Sequence, residues 1–324
     1  MSKVFVSRPM PEIGIKMLKD KGFDVVVNIA ADDRAATKEE LIEGVKGADA
    51  MLSILTEKIT AEVMDAGAPT LKIVANYAVG FDNIDLEAAK QKNIMVTNTP
   101  GVLTDTVAEH TFALMLSIAH RISEADRFSR AGKYHAWGPQ MLLGTDMSGK
   151  TLGVVGLGRI GSRVAHHAVK GFGMKVVYTD PKPNTDFEKE YDAKYFEKLQ
   201  DLLPQADFIS IHVPLLPTTQ HLINEENLSL MKPSSYLINT SRGPIVDEKA
   251  LARALSERWI RGAALDVFEF EPEITPALKE LDNVIITPHI ASATEETRNK
   301  MAEMAAQNII DALEGKTPAN LVKL

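Results

Sequence analysis

The chain has 324 residues, of which 45% are hydrophobic and 25% charged, with a formal net charge of −8. That length predicts two domains, and the acidic balance argues against a general nucleic-acid or anionic-membrane binder, because counterion-release binding needs a basic face. The absence of cysteine excludes disulfides, thiolate chemistry and cysteine-ligated metals. The opening MSKVFVSRPMPEIG lacks the apolar stretch of a leader, and no apolar run approaches the roughly 18 residues of a membrane span, so a soluble cytoplasmic protein is expected.

In chain order, residues 3–7 (KVFVS) predict a strand, residues 12–21 a helix ended by Gly22, and residues 23–27 a second strand. Residues 38–45 read as a helix, 50–55 (AMLSIL) as a strand, 61–66 as a helix and 71–75 (LKIVA) as a strand. Such βα alternation implies a parallel sheet with helices on both faces. Residues 76–85 (NYAVGFDNID) follow a strand's carboxyl end, where open α/β sheets bind ligands, and are expected to form a site loop; Asp82 and Asp85 read as turn and cap residues. A short strand at 93–96 precedes a proline- and glycine-punctuated loop at 98–101, a candidate hinge. Residues 104–130 predict one long helix, followed by an irregular segment containing Trp137. Beyond residue 180 the same grammar repeats: strands at 208–213, 236–239, 262–266 and 284–287, helices near 197–203, 224–231 and 248–257, a closing helix at 294–315, and an extended tail at 317–324 that could return to the first sheet.

Residues 150–180, KTLGVVGLGRIGSRVAHHAVKGFGMKVVYTD, organise the second half. A β-branched run feeds Gly156, Gly158 and Gly161 in the spacing G-x-G-x-x-G, a helix follows, and Asp180 closes the next strand. The first glycine permits a tight turn, the second lets a pyrophosphate approach the backbone, and the third lets the helix pack close. Phosphate then sits on the helix N-terminus, and a carboxylate at Asp180 can accept from both ribose hydroxyls. A 2′-phosphate would meet that negative charge with only Lys182 nearby to compensate, so NAD(H) is favoured over NADP(H).

Three further polar residues follow strand ends: Arg242 in NTSRG, Glu271 in FEFEP and His289 in TPHI. Reduction of a 2-oxo acid needs these types, a cation for the carboxylate and carbonyl, a proton donor, and a group that orients the donor. Arginine offers a planar fork matching a carboxylate, and histidine is the side chain that exchanges protons near neutrality. Glu269 rivals Glu271 for the orienting role. His110, His120, His166, His167 and His221 read as structural or solvated, His135 and His212 are left open, with His212 favoured as a strand-end residue near the adenine over a catalyst, and no cluster has metal-ligand spacing, so no metal is expected.

At these words the chain resembles the D-isomer-specific 2-hydroxyacid dehydrogenases. GVVGLGRIG, HVPLLPTTQHLIN, INTSRGPIVDE, GAALDVFEFEP and TPHIASAT carry the likeness over nearly the whole length, and NYAVGFDNID with VTNTPGVLTDTVAEHTFALML places it nearest the glyoxylate and hydroxypyruvate reductases. The resemblance implies Arg242 as the substrate-binding cation, Glu271 as partner of the histidine and His289 as acid/base. It also implies that the amides of Val79 and Gly80 hold the substrate carboxylate, with Leu55 and Ser292 approaching the substrate. Thr106, Arg159, Ile160, Asp180, Val213, Pro214, Thr219, Thr240 and Asp266 are implied as cofactor contacts, Asp266 reaching the nicotinamide carboxamide. Trp137 resembles a residue that enters a neighbouring subunit's pocket, which implies a homodimer.

The expectation is thus an α/β protein of two doubly wound, Rossmann- and flavodoxin-like parallel-sheet domains with an active-site cleft between them. Residues 1–99 with 290–324 would bind substrate and residues 100–289 would bind NAD. The expected reaction is NADH-dependent reduction of glyoxylate or hydroxypyruvate to the D-2-hydroxy acid. The alternatives are reduction of 2-ketogluconate or another larger 2-oxo acid, oxidation of 3-phosphoglycerate, and, in a different class, an NAD-sensing corepressor-like binding protein.

Overall fold

Short β-branched runs separated by amphipathic helices cannot bury themselves singly, and in this chain they stack into two parallel sheets. The computed structural model describes residues 1–31 and 34–323, which divide into one unit of Met1–Leu103 with Ala293–Leu324 and a second of Thr104–Ser292.

The first unit contains β1 (Lys3–Val6), α1 (Glu12–Asp20), β2 (Asp24–Val27), α2 (Lys38–Val45), β3 (Ala50–Ile54), α3 (Ala61–Ala66), β4 (Ile73–Tyr77), α4 (Leu86–Gln91) and β5 (Met95–Thr97). The sheet order is β2-β1-β3-β4-β5, every pair parallel, so the order reverses beside β1. All five residues of β4 are buried, as a central strand covered on both faces requires. Phe5, Leu41, Val45, Met51, Val63 and Met64 form the core on one side. The closing helix Glu295–Leu313 packs on α1 so tightly that a Cβ on Gly14 would lie 2.9 Å from the Ala302 carbonyl oxygen. Helix α4, which the sequence reading did not give, follows the site loop; Asp85, read as a turn or cap residue, starts it by accepting the Ala88 N–H at 3.0 Å. The tail does return to the sheet, with Val322 N–H on the Val96 carbonyl at 2.8 Å, while its last residue, Leu324, lies outside the described residues.

The second unit opens with α5 (Thr104–Ala119) and α6 (Ile122–Arg130), where one continuous helix was expected. The break is at Arg121, whose backbone is left-handed at φ 57° and whose guanidinium holds Glu124 through bonds of 2.7 and 2.6 Å. α5 buries eight residues and α6 none, so the turn releases a polar helix from the core. Next come β6 (Thr151–Val155), α7 (Arg159–Phe172), β7 (Lys175–Thr179), α8 (Thr185–Tyr191), β8 (Lys194–Tyr195), α9 (Leu199–Leu202) and β9 (Phe208–Ile211). The unit ends with α10 (Glu225–Ser229), β10 (Tyr236–Asn239), α11 (Glu248–Ser256), β11 (Gly262–Leu265), α12 (Pro276–Lys279) and β12 (Val284–Ile286). The parallel sheet runs β12-β11-β10-β9-β6-β7-β8. From β6 the chain builds outward to β8, then crosses back to β9 on the other side of β6. That reversal opens a crevice at the carboxyl ends of β6 and β9, the place where doubly wound sheets receive a dinucleotide.

Candidate active site

The crevice is floored by the glycine turn. Gly156 has φ 94°, a left-handed conformation that side chains resist, and a Cβ there would lie 2.8 Å from Val213 Cγ1, the residue that follows β9 by two. Gly161 faces the turn from α7, where a Cβ would sit 2.1 Å from the Gly156 carbonyl oxygen, whereas the space around Gly158 is open within 4 Å. The first and third glycines therefore bring strand, turn and helix together, and the second leaves a bare face at the start of a 14-residue helix, a fit to a pyrophosphate. Arg159 is exposed at the head of α7 and Ile160 is half-buried against the core. Asp180 turns back to this turn, its Oδ2 accepting the Leu157 N–H at 2.8 Å, which anchors the carboxylate and leaves Oδ1 for a ribose hydroxyl. Across the crevice, Thr219 closes the loop after β9 by donating to the Pro214 carbonyl at 2.7 Å and accepting the Leu216 N–H at 2.8 Å. Thr240 Oγ1 lies 3.0 Å from Thr111 Oγ1; since Thr111 donates to the Val107 carbonyl, Thr240 is the donor to Thr111. Thr106 stands in the first turns of α5.

His289, Glu271 and Arg242 all follow strand ends in the same unit. His289 Nδ1 meets Glu271 Oε2 at 3.0 Å, and each side chain keeps about a quarter of its surface exposed. Glu271 Oε1 is fixed by the Phe268 N–H at 2.9 Å, so the carboxylate bridges its own loop to the imidazole. His289 Nε2 has no hydrogen-bond partner among the described residues. Glu269 is committed elsewhere: its Oε1 is 2.6 Å from His221 Nε2 and its Oε2 accepts the Glu248 N–H. The Glu271 loop also touches the Arg242 loop, because a Cβ on Gly243 would fall 1.9 Å from the Phe268 carbonyl carbon and oxygen. Arg242 is set by Asn239, whose Nδ2 donates to the Arg242 carbonyl at 2.9 Å, and by Ser241, whose carbonyl accepts from the Arg242 guanidinium at 2.8 Å.

Behind the histidine stands Asp266, fully buried. Its Oδ1 accepts Thr287 Oγ1 at 2.6 Å and the Ile290 N–H at 2.9 Å, its Oδ2 accepts the Ala291 N–H at 2.7 Å, and His110 Nε2 lies 3.4 Å away. Its carbonyl accepts the His289 N–H at 2.9 Å. Burial raises the Asp266 carboxyl, but the hydrogen bonds from His110, Thr287 and the two amides outweigh it and hold the group below its ordinary value. His289 itself is left-handed at φ 53°, a conformation costing of order 1 kcal/mol or more that persists only where the surroundings fix it. Asp266 holds it from both sides, its carbonyl on the His289 N–H and its carboxylate on the two amides that follow, with the Thr287 carbonyl sharing the His289 N–H at 3.0 Å. Just past the carboxyl end of β9, burial pushes His212 down to about 3, which keeps it neutral, with its Nε2 2.8 Å from Ser210 Oγ.

The match to known proteins agrees with this geometry. Residues 112–291 match the model of the D-isomer specific 2-hydroxyacid dehydrogenase, NAD binding domain. A glyoxylate reductase of Korarchaeum cryptofilum is 51% identical over 99% of this chain and 95% of its own length. The chain belongs to the D-isomer-specific 2-hydroxyacid dehydrogenases. As a member of that family it is an oxidoreductase that uses a nicotinamide dinucleotide. Among solved structures, a protein of Thermus thermophilus superposes with a TM-score of 0.92 at 42% identity, covering 99% of this chain and 100% of that one. An NADPH-dependent glyoxylate/hydroxypyruvate reductase of Sinorhizobium meliloti, solved with NADP and malonate, has a TM-score of 0.87 at 31% identity, covering 99% and 96%.

In this dehydrogenase, the remaining residues singled out from the sequence fall at strand ends. Leu55 follows β3, Val79 and Gly80 follow β4, and all three are half-buried, as is Ser292 beyond β12. Trp137 is 78% exposed, and Tyr134 and Leu143, in the same irregular segment of the chain, are exposed as well. Sequence reading missed the approach of His110 to Asp266, since a histidine on a helix carries no mark of the loop it will face. Among the described residues, no group of three or more His, Asp or Glu is arranged to hold a metal, and no helix is long and apolar enough to cross a membrane.

Proposed function

We propose that this dehydrogenase reduces glyoxylate or hydroxypyruvate to the D-2-hydroxy acid with NADH. The observation that carries the reading is the His289–Glu271 pair, in which Nδ1 is held by a carboxylate at 3.0 Å while Nε2 stays open for a substrate oxygen. The nicotinamide, when bound, supplies the hydride. His289 Nε2 gives a proton to the carbonyl oxygen, and Glu271 keeps the ring oriented and stabilises its charge before transfer. Arg242 draws the substrate in and polarises the carbonyl, a role suited to a guanidinium because it never loses its proton. The Val79 and Gly80 amides hold the carboxylate, with Leu55 and Ser292 bounding the substrate. The dinucleotide lies on Gly156, Gly158, Arg159, Ile160 and Gly161, with Thr106, Val213, Pro214, Thr219 and Thr240 along it. Asp266 supports the His289 loop at the nicotinamide end.

NADH preference is supported by Asp180, whose carboxylate sits at the glycine turn where a 2′-phosphate would bring like charge. The Sinorhizobium meliloti relative solved with NADP makes NADPH the reading to test against. The name of the 51% identical relative supports glyoxylate. The exposed Trp137, Tyr134 and Leu143 support a homodimer in which a second copy covers them. Initial rates with glyoxylate, hydroxypyruvate, 2-ketogluconate, pyruvate and 3-phosphohydroxypyruvate, each with NADH and NADPH, test the whole reading. Efficient NADH turnover of one of the first two is expected; turnover of only the larger acids refutes the substrate, and a preference for NADPH refutes the role of Asp180.

A further inference from the structure

In the turn after β4, three successive carbonyl oxygens are occupied by donors. The Thr99 N–H donates to the Ala78 carbonyl at 2.8 Å, Asn98 Nδ2 to the Val79 carbonyl at 2.7 Å, and Asn76 Nδ2 to the Gly80 carbonyl at 2.9 Å. In a trans peptide the carbonyl and the following N–H point in opposite directions. Each bond therefore turns one N–H away from its donor, those of Val79, Gly80 and Phe81 in order. None of the three makes a hydrogen bond to another group among the described residues, although Val79 and Gly80 are half-buried. Backbone donors out of bulk water rarely go unused, and successive free N–H groups form a concavity that takes an anion.

The two asparagines are themselves held rigidly. Asn76 is fully buried; its Oδ1 accepts Ser53 Oγ at 3.0 Å, and its Nδ2 also reaches Asn83 Oδ1 at 3.0 Å. Asn83 Nδ2 in turn donates to the Ile54 and Glu57 carbonyls at 3.2 and 3.0 Å, tying the Leu55 loop to the same turn. The Asn98 carbonyl accepts from Asn308 Nδ2, in the closing helix, at 3.4 Å. Inverting either amide would set oxygen against a carbonyl oxygen, so the network itself fixes which atom donates.

We propose that Asn98 and Asn76 are positioning residues of a carboxylate cradle, orienting three consecutive peptides so that the Val79, Gly80 and Phe81 N–H groups receive the carboxylate of the substrate. The proposal rests on the 2-oxo acid reductase reading above and extends the cradle to a third amide. Within this turn the donors are amide dipoles alone, since residues 73–89 contain no Lys or Arg and do contain Asp82 and Asp85. Such dipoles suit a singly charged carboxylate better than a phosphate dianion.

The test uses the full-length enzyme and the variants Asn98→Ala and Asn98→Asp, the latter of equal shape but without the donor. Steady-state kinetics with glyoxylate, NADH binding by fluorescence, the inhibition constant of oxamate, and Tm are measured on each. We expect KM for glyoxylate and the oxamate constant to rise together by about tenfold or more in both variants, with kcat within roughly threefold and NADH binding unchanged, the pattern of lost ground-state binding. Asn98→Ser serves in place of Asn98→Ala if the latter does not fold. The proposal is overturned if KM stays at the wild-type value, if Asn98→Asp restores it so that shape alone suffices, or if glyoxylate and NADH binding weaken in parallel with Tm. A wild-type enzyme that reduces no 2-oxo acid removes the reading beneath it, and that failure is visible before any variant is made.

Discussion

Replacing Asp266 with asparagine separates two roles for this residue, a contact to the nicotinamide and a clamp on the His289 loop. Both carboxylate oxygens are acceptors in a fully buried place, Oδ1 for Thr287 and the Ile290 N–H and Oδ2 for the Ala291 N–H at 2.7 Å. An asparagine keeps one oxygen, so an NH2 group must face a donor that had been satisfied. A charge-assisted hydrogen bond contributes about 1.5–3 kcal/mol, and a stranded buried donor costs about 1–3 kcal/mol more, giving roughly 3–5 kcal/mol of lost stability. In a unit spanning Thr104–Ser292, each kcal/mol shifts Tm by about 2–4 °C, so a fall of roughly 6–20 °C is expected by calorimetry. The amide released belongs to one of the two peptides that follow His289, and a displacement of order 1 Å at a catalytic group costs about 100-fold in kcat. The clamp also sets a pH dependence. Because the folded value of Asp266 lies below its ordinary one, its stabilisation is complete above about pH 4 and is lost as pH falls through the folded value. Asp266→Asn should therefore flatten the acid limb of stability. Weaker NADH binding with unchanged Tm and kcat would refute the clamp and leave the nicotinamide contact as the residue's role.

Three other substitutions probe the same unit. Glu271→Gln should lower kcat for glyoxylate by about 100-fold or more, within the general range for acid–base support, whereas Glu269→Gln, which disturbs the His221 contact, should change stability more than turnover; equal kinetic effects would deny Glu271 its special place. Gly243→Ala should destabilise the protein by several kcal/mol or prevent its accumulation, since its Cβ would press 1.9 Å from the Phe268 backbone, and a normal Tm would show that the two loops part easily. Asp180→Ala should weaken NADH by about tenfold through loss of a charge-assisted acceptor while leaving or improving NADPH; an unchanged ratio of kcat/KM for the two cofactors would place the ribose reader elsewhere.

What could be read in the sequence was whatever depends on neighbours along the chain. The strand, the glycine spacing and the acid at residue 180 are a local pattern, and the turn they build requires glycine at 156 and 161 for reasons of contact within a few residues. The break at Arg121 was not legible, because its left-handed backbone has no glycine to announce it and its bidentate pairing with Glu124 forms only once the chain has turned. Helix α8 hid in a polar stretch whose one anchor, Phe187, finds its partner Tyr178 only once the sheet is assembled. The choice between Glu269 and Glu271 was open because strand-like spacing gives both residues the same face. His221 and the Glu248 N–H, distant along the chain, draw one carboxylate away, and the Phe268 N–H and His289 hold the other. Asparagines 76 and 98 carry even less signal, since an amide that tethers a carbonyl looks like any other polar residue after a strand. In both units the sequence therefore marks the strand ends at which chemistry is placed, while the direction each group faces is set by hydrogen bonds to residues it could not have shown beforehand. Substitutions that keep a site residue but remove its tether, such as Asp266→Asn, are for that reason the sharper tests of how this enzyme works.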